Sequence, residues 1–394
     1  MKLLSVYHKH LYLVTAAVLF IESTTAAPQL ESPQEDAHDV TILAEDEQQE
    51  TNRDEKVLIS LVTVEPKPCN SDAGIGDIGT CMTSSDCKFK GGTAAGSCAN
   101  GLGTCCIVTR TCLDATRLNN TYFTSPLLDG VGACTLTVHR ASTNICQMRL
   151  DFVGMRLSQP DPDGNCNTDF FTVTGGTNNI PIICGDNTGQ HMYINVEANG
   201  GPVKLTVDRS TTGSSIRSWN IKVTQLLCNS RYRAPDSCLQ YFTETSGTVQ
   251  SFNYDVAVPV VTPPAITGTR QIANQDYGVC IQKAAGYCGI VWERDANAGG
   301  YSFTVSGNVE ALQPGLEGTP DASAKGDLCT DDYIVIPGGI DDLDIRNDTY
   351  CGLGFPKFVT STATPFVLYI KNNDNEIQDG LNHGFRLTYR QKTC

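Results

Sequence analysis

Apolar and polar side chains alternate in short stretches over most of the chain. A period of two residues is typical of a β-strand that buries one face, and clusters of glycine, proline and asparagine between the stretches predict turns. No helix-period apolar stretch stands out after the first 26 residues. The sequence therefore predicts a mostly β chain of antiparallel sandwiches, with loops at both ends free for recognition. The alternating stretches are TLTV at 135–138, MRLDF at 148–152, MYINV at 192–196, VKLTV at 203–207, NIKV at 220–223, FVLYI at 366–370 and FRLTY at 385–389.

The longest apolar run lies at residues 11–21, after the basic Lys2 and Lys9 and before small residues that offer a cleavage point after Ala26. This order is typical of a secretory signal peptide, which we predict at residues 1–26. The run is about half the length that crosses a bilayer. We therefore expect a secreted, extracellular protein with no membrane span.

A strongly acidic stretch follows the predicted signal. Residues 28–56 hold ten acidic and two basic side chains, and the chain of 394 residues has a net charge of −15 from 28 basic and 43 acidic residues. Such a stretch cannot bury enough apolar surface to fold, so we predict an acidic disordered segment at residues 27–68. We interpret it as a solvated tail or pro-segment rather than a specific cation- or partner-binding site. Nucleic acid is not an expected partner, because clustered lysine and arginine are missing.

All 18 cysteines lie beyond the predicted signal, and an even number in an oxidising compartment favours disulfides over zinc ligands or free thiols. The first six fall in a compact glycine-rich block at residues 69–111. The other twelve form two sets of six in the same order: CNTDFFTVTGG at Cys166 matches CTDDYIVIPGG at Cys329, and ICGDN at Cys184 matches YCGLG at Cys351. We predict two copies of one domain, at residues 112–228 and 238–394, joined by a linker at 229–237.

The repeated motifs resemble the CUB domain, an extracellular β-sandwich of jelly-roll type. Each copy has an entry cysteine, a second cysteine leading a strand, then C-x-x-D-aromatic, then CG, and a closing W-x-I or GF-x-L-x-Y strand. Strings such as RLDF, VTGG, IANQDYGVCI and GYC resemble the arthropod type of secreted CUB protein. The resemblance implies an all-β fold of two tandem jelly-roll sandwiches after a small disulfide-rich N-terminal module.

The resemblance also implies a disulfide pattern. In the CUB family the first cysteine pairs with the second, and the C-x-x-D cysteine pairs with the CG cysteine, which leaves one further pair in each copy. The implied pairs are Cys112 with Cys134, Cys146 with Cys228, Cys166 with Cys184, Cys238 with Cys280, Cys288 with Cys394 and Cys329 with Cys351.

The N-terminal block ends in Cys105 and Cys106, and adjacent cysteines rarely pair with each other because the short ring strains the peptide. The order C-x11-C-x5-C-x10-C-x6-CC resembles the clip domain, a small disulfide knot of arthropod secreted proteins that usually precedes a serine protease domain. The expected protease is absent, and a generic knot is the alternative. The clip resemblance implies the pairs Cys69 with Cys105, Cys81 with Cys98 and Cys87 with Cys106.

The sequence carries no catalytic motif. His38, His139, His191 and His383 lie in no nucleophile or zinc motif, and there is no P-loop, HExxH or dinucleotide fingerprint. His191 follows a glycine turn into a strand, and we interpret it as a surface residue or one whose hydrogen bonds are satisfied. We therefore predict no enzyme activity, no catalytic residue and no cofactor.

The resemblance to CUB domains raises one metal ion as a candidate ligand, calcium. Many CUB domains bind it at one end through a glutamate, the C-x-x-D aspartate and a later aspartate followed by Ser or Asn, since hard oxygen ligands suit Ca²⁺. The glutamate has no match, because Ser158 or Gln159 stands there in the first copy and the second copy has no secure alignment. The alternative is that the aspartates cap turns. The candidates are Asp169 with Asp208 and Ser210 in the first copy, and Asp332 with Asp374 and Asn375 in the second.

Together these patterns predict a non-catalytic secreted protein that binds extracellular proteins or glycans through CUB-like modules. The alternatives are a structural component of extracellular matrix or cuticle, and an accessory or regulatory partner in an extracellular protease cascade. Sequons at Asn119 and Asn347 predict N-linked glycans where these loops are exposed.

Overall fold

The computed structural model describes residues 63–72, 77–128, 130–197, 199–209, 217–255, 260–262, 265–267, 269–374, 376, 379 and 381–394. The predicted signal peptide, most of the predicted acidic segment, His38, Ser210 and Asn375 lie outside the described residues. Strands account for most of the regular structure, which confirms the predicted all-β class. Within the described ranges no helix is long and apolar enough to cross a membrane.

The cysteine-rich N-terminal block forms a small antiparallel sheet with one short helix. Its elements are β1 (Pro68–Asn70), β2 (Ile78–Met82), α1 (Ser84–Phe89), β3 (Thr93–Cys98) and β4 (Gly103–Arg110), with a 3₁₀ turn at Ala99–Gly101. Cys105 and Cys106 are neighbours on β4, so their side chains leave on opposite faces of the strand. One bonds to Cys69 and the other to Cys87. Adjacent cysteines thus tie two different parts of the block together.

Residues 112–228 form a first sandwich of two sheets. Its strands are β5 (Ala115–Thr116), β6 (Thr121–Thr124), β7 (Cys134–Val138), β8 (Ile145–Arg156), β9 (Asp169–Thr174), β10 (His191–Asn195), β11 (Val203–Arg209) and β12 (Ser218–Leu227). The sheets run β6-β12-β8-β10 and β5-β7-β11-β9. Along β11 every second residue, Val203, Leu205 and Val207, is fully buried in the core, as the period of two predicts.

The N-terminal block shares a sheet with this first sandwich. Strand β4 pairs in parallel with β6. The Tyr122 hydroxyl on β6 accepts the N–H of Ile78 at 2.9 Å and donates to the carbonyl of Ile78 at 3.2 Å. The block and the sandwich are therefore hydrogen-bonded across the point, residue 111, at which the sequence divides them.

The second sandwich contains the remaining strands. They are β13 (Cys238–Phe242), β14 (Ser246–Gln250), β15 (Val260–Thr262), β16 (Ala265–Thr267), β17 (Asp276–Ile281), β18 (Tyr287–Arg294), β19 (Phe303–Thr304), β20 (Ser323–Lys325), β21 (Tyr333–Val335), β22 (Ile340–Asp341), β23 (Thr349–Gly352), β24 (Val359–Ser361), β25 (Phe366–Lys371) and β26 (Gly384–Thr393). Four 3₁₀ segments lie between them, at Ala296–Ser302, Val309–Ala311, Pro320–Ala322 and Gly326–Leu328. The sheets run β14-β26-β18-β24-β22, with β19 also paired to β26, and β13-β17-β25-β21-β23-β20, while β15 and β16 form a separate two-stranded sheet.

The two sandwiches share a common strand order, to which the second adds β19, β20, β22 and β23. In each one the first strand pairs in parallel with a later one, β5 with β7 and β13 with β17. From there β7-β11-β9 corresponds to β17-β25-β21, and β6-β12-β8-β10 corresponds to β14-β26-β18-β24. The internal repeat inferred from cysteine order stays a prediction, with which this shared order agrees.

Disulfides cross-link each module of the described part of the chain. Cys146 with Cys228 and Cys288 with Cys394 close the longest spans, 82 and 106 residues, and join the paired long strands of each sandwich. Long closed loops remove the most entropy from the unfolded chain, so these two bonds stabilise most in that account. The other pairs are Cys81 with Cys98, Cys112 with Cys134, Cys166 with Cys184, Cys238 with Cys280 and Cys329 with Cys351.

The two sandwiches meet through polar and aromatic side chains. The segment 229–237 packs on β8, where Gln147 accepts the N–H of Ala234 at 2.8 Å and donates to its carbonyl at 3.0 Å. Next along the chain, the N–H of Tyr241 on β13 donates to Nε2 of His191 on β10 at 3.0 Å. The predicted linker is therefore held to β8 at Ala234, its one buried residue, while most of its other residues are exposed.

Peptide mapping without reduction tests the disulfide pattern. We expect Cys228 to be recovered with Cys146, and Cys238 with Cys280, because these partners already face each other across paired or adjacent strands. Mass spectrometry of proteolytic fragments before and after reduction identifies the pairs. A fragment that joins Cys228 to Cys238 would overturn the division into two six-cysteine modules.

Candidate functional site

Three carboxylates converge at one end of the second sandwich. Asp332 directly precedes β21, while Glu376 and Asp379 lie in the connection between β25 and β26. One oxygen from each lies within 4.8 Å of the other two. Asp332 is 0% and Glu376 1% exposed, and Asp379 is partly buried. We call these three residues the acidic group.

The acidic group has too few hydrogen-bond donors. The side-chain amide of Gln271 points its Nε2 at Asp332 Oδ2 (3.1 Å), at Glu376 Oε2 (3.2 Å) and at the carbonyl of Val305 (2.8 Å). One NH₂ carries only two hydrogens for these acceptors. The N–H of Asn373 donates to Asp332 Oδ1 at 2.6 Å. Among the described ion pairs, no lysine or arginine reaches the acidic group.

Burial and mutual repulsion change the proton affinity of these groups. Burial, followed by repulsion from the neighbouring Asp332 carboxylate, raises the pKa of Glu376 to about 9. Burial also raises the pKa of Asp332 to about 6 and that of Asp379 above its ordinary value. Without a bound cation, the acidic group therefore retains a proton on Glu376 at neutral pH, because three ionised carboxylates at this distance repel one another.

The oxygen atoms of the acidic group and its neighbour Asn382 suit a hard divalent cation as ligands. Asn382 is fully buried beside the group and donates from Nδ2 to Asp379 Oδ1 at 3.3 Å, while its own Oδ1 has no hydrogen-bond partner. Carboxylate and amide oxygens in a flexible arrangement are the ligands that Ca²⁺ prefers. A cation here would replace the retained proton and satisfy oxygens that the protein leaves short of donors.

Residues 235–392 match the family described as "Animal CUB domain". This part of the chain is a CUB domain. Solved structures similar to the chain include the CUB1-EGF-CUB2 domains of rat MASP-1, with 14% identity, 70% of this chain and 99% of that chain covered, and a TM-score of 0.23. Another is the CUB1-EGF-CUB2 domain of human MASP-1/3, with 15% identity, coverage of 68% and 98%, and a TM-score of 0.23. Among curated proteins none matches.

CUB domains often bind calcium, and the acidic group in this CUB domain only partly follows the set expected from sequence. Asp332 belongs to it as expected. Asp374, the expected second aspartate, is exposed and lies outside the group. A different glutamate, Glu376, joins the group from the loop of the later aspartate rather than from the strand where the sequence analysis looked for one, with Asp379 as the third carboxylate. The available signal was the acidity of the stretch from 374 to 379, which returns to the end of the sandwich where β21 starts.

In the first sandwich the corresponding buried aspartate is paired with an arginine. Its C-x-x-D aspartate, Asp169, is 0% exposed and its Oδ1 receives Nη1 of Arg217 at 2.7 Å, with the arginine side chain only 1% exposed. Ser158, one of the two residues that the sequence placed in the glutamate position, donates to Asp169 Oδ2 at 2.5 Å. Asp208 is half-buried and belongs to no carboxylate cluster within the described residues. The guanidinium of Arg217 thus supplies the positive charge that a metal ion would otherwise supply beside Asp169.

The residue that matches Arg217 in the CUB domain is His383. Arg217 directly precedes β12, and His383 directly precedes the corresponding β26. Burial lowers the pKa of His383 to about 4, so this imidazole is neutral at physiological pH. The CUB domain therefore has no fixed positive charge at the position where the first sandwich has one.

The remaining candidates have structural positions. Burial lowers the pKa of His191 to about 4, and its hydrogen bond to Tyr241 makes it a satisfied residue of the contact between sandwiches rather than a surface residue. Asn119 is half-buried, and its Oδ1 accepts N–H groups from Gln225 at 2.7 Å and from Asn120 at 2.9 Å. Asn347 is also half-buried. Glycosylation at both sequons stays a prediction.

Replacing the arginine of the first sandwich tests the buried ion pair. We expect Arg217→Met to lower the free energy of unfolding by about 3–5 kcal/mol, because Asp169 would stay buried without its counter-charge. The double variant Arg217→Met with Asp169→Leu should lose less than the single variant, since no charge remains unpaired. Calorimetry of the three proteins measures this difference. Equal losses in the single and double variants would show that Arg217 acts through packing alone.

The pH dependence of calcium-free protein tests the acidic group. The pKa of Glu376 rises from 4.5 to about 9 on folding. Well below pH 4.5 the group is protonated in both states, and between pH 4.5 and about 9 the unfolded state has released the proton that the folded state retains, so stability falls as pH rises through this window. With a chelator present, the melting temperature of wild type should fall more between pH 5.5 and 8.5 than that of Glu376→Gln. Each kcal/mol corresponds to about 2–4 °C. Parallel slopes in the two proteins would contradict the raised pKa.

Proposed function

We propose that this protein is a secreted, non-catalytic binding protein whose CUB domain holds Ca²⁺ on Asp332, Glu376 and Asp379 and recognises an extracellular protein or glycan. The observation that carries the proposal is the acidic group itself. It combines buried carboxylates, a shortage of donors and an unpartnered amide oxygen on Asn382. Secretion is supported by the signal-like residues 1–26 and the cysteine usage.

The charge balance supports a cation at the acidic group. Two of its carboxylates are buried in the protein, where an ionised group without a counter-charge is costly. The equivalent aspartate of the first sandwich has an arginine for this purpose, while the CUB domain offers a neutral His383. A divalent ion would supply the missing positive charge and lower the proton affinity of Glu376 and Asp332.

The bound ion would act by fixing loops. Asp332 lies before β21, and Glu376 and Asp379 lie between β25 and β26, while the N–H of Gly307 from a third connection donates to Asp379. Three loops at one end of the sandwich therefore meet at the acidic group. Loops held on a rigid scaffold are where binding surfaces are built, so the ion would preorganise this end for recognition.

The first sandwich is proposed to be a second CUB-like module. It repeats the strand order of the CUB domain, including the parallel pair, and the same arrangement of three disulfides. Glycans at Asn119 and Asn347 and an arthropod type of chain also belong to this proposal.

A second candidate function follows from the N-terminal block. The pairs Cys69 with Cys105, Cys81 with Cys98 and Cys87 with Cys106 have the order that the clip domain implies. A clip-like block joined to binding modules supports a role as an accessory partner in an extracellular protease cascade.

Calcium titration tests the proposed function. We expect isothermal calorimetry of wild type to show one site with a Kd of about 10⁻⁴–10⁻³ M, typical of extracellular modules. Asp332→Asn should abolish the heat or weaken binding at least tenfold, because it removes a buried carboxylate ligand. Asp374→Asn is the matched control: an acidic residue on the same connection that is exposed and outside the group.

Two outcomes of the titration would contradict the calcium site. No heat from wild type at millimolar Ca²⁺, or equal loss in the Asp332 and Asp374 variants, would leave the acidic group as a protonated structural cluster. Melting temperatures measured with chelator separate loss of binding from loss of folding, since a folded Asp332→Asn protein melts cooperatively.

A further inference from the structure

A turn of the first sandwich reaches the acidic group of the CUB domain. Residues 160–165, which we call the junction turn, connect β8 toward β9. Gly164 is buried at its tip, and a Cβ added there would lie 2.4 Å from Cγ of Glu376 and 3.0 Å from Cβ of Ala273. The backbone of the first sandwich is therefore in direct contact with one of the proposed ligands.

The junction turn is a preformed structure. Asp161 Oδ1 accepts the N–H groups of Asp163 at 3.0 Å and Asn165 at 2.8 Å, and the N–H of Gly164 donates to the carbonyl of Asp161 at 3.0 Å. Gly164 has φ +75°, a conformation that side chains with a Cβ rarely adopt. The turn thus presents a bare, fixed backbone to Glu376 and needs glycine for both reasons.

One short segment of the CUB domain contacts both the junction turn and the acidic group. Arg270 donates to the carbonyl of Pro160, and the N–H of Ala273 donates to the carbonyl of Gly164 at 3.0 Å. Between them, Gln271 donates to Asp332 and Glu376. Because these residues are consecutive on one stretch of chain, a shift of the junction turn moves the groups that orient the acidic group, and the reverse also holds.

From these contacts we infer that calcium binding by the CUB domain and docking of the first sandwich are thermodynamically coupled, with the junction turn as the wall of the cation site. The inference rests on the proposed calcium site and assigns it a regulatory role. Binding of the ion fixes Glu376 in the position against which Gly164 packs, and docking of the turn in return favours the ion. The site thus acts as a clamp that sets the relative position of the two sandwiches.

Substitution of Gly164 tests the clamp. We expect Gly164→Ala to weaken calcium binding roughly tenfold, within the usual range of coupling between sites, because the added Cβ forces the turn and Glu376 apart. Gly132→Ala is the matched control: it lies in the same sandwich with φ +97°, and a Cβ there meets nothing within 4 Å. Isothermal calorimetry compares the dissociation constants, and melting in chelator checks that both variants fold.

Arg270→Met provides a second variant that adds no atom against Glu376. It removes the hydrogen bond to Pro160 from the CUB side and should weaken calcium binding in the same direction. Hydrogen exchange gives an independent readout: calcium should slow exchange at the amides of Asp163 to Asn165 in wild type and in Gly132→Ala, and much less in Gly164→Ala.

The outcomes separate the inference from the proposed function. If wild type binds no calcium, the proposed site is wrong and the clamp falls with it. If wild type binds calcium and the Gly164 and Arg270 variants bind it equally tightly, with no protection of the junction turn, the site stands and the clamp is wrong. Weakened binding in both variants, with the Gly132 control unchanged, supports the coupling.

Discussion

A carboxylate buried at the end of a β-sandwich needs a positive charge or a proton, and both halves of this chain bury one at the same place. Asp169 is the first residue of the strand after its C-x-x-D cysteine, and Asp332 directly precedes the corresponding strand. Water is excluded from both, so leaving either ionised without compensation would cost more free energy than one module can lose. The arrangement of neighbouring loops follows from how each half meets this requirement.

The two solutions have different properties. An arginine is a permanent cation, so the positive charge beside Asp169 does not depend on pH in the physiological range. The acidic group has no such partner, and its charge depends on what it binds, either a proton on Glu376 or a metal ion. The charge at this position can therefore change with pH or metal binding in the CUB domain, although the two halves share a common strand order.

Sequence patterns predict the repetitive part of this structure well. Strands with a period of two, six-cysteine sets and the C-x-x-D motif identify the sandwiches and place Asp169 and Asp332, because these signals are local or recur in order. They miss Arg217, which lies 48 residues from its partner and has no motif of its own. The motif spacing indicates Asp374 rather than Glu376, because spacing alone does not show which residue of a loop points into the protein. The sheet shared by β4 and β6 is equally invisible, since pairing between modules leaves no periodicity.

The contact between the sandwiches explains why the cation site matters beyond its own loops. The contacts described between the sandwiches include hydrogen bonds between polar groups, such as Gln240 to Gln190 at 3.0 Å and the N–H of Asp186 to Asn253 at 2.9 Å. Beside them lie buried aromatic contacts such as Tyr193 with Tyr241. Hydrogen bonds exchange with water at little net gain, so these bonds fix the geometry of the contact, while the buried aromatic and apolar side chains contribute more of its stability. A bound ion at the edge of this contact would add one further constraint on its geometry. The junction turn places the acidic group at that edge, where one bound ion affects the position of both sandwiches.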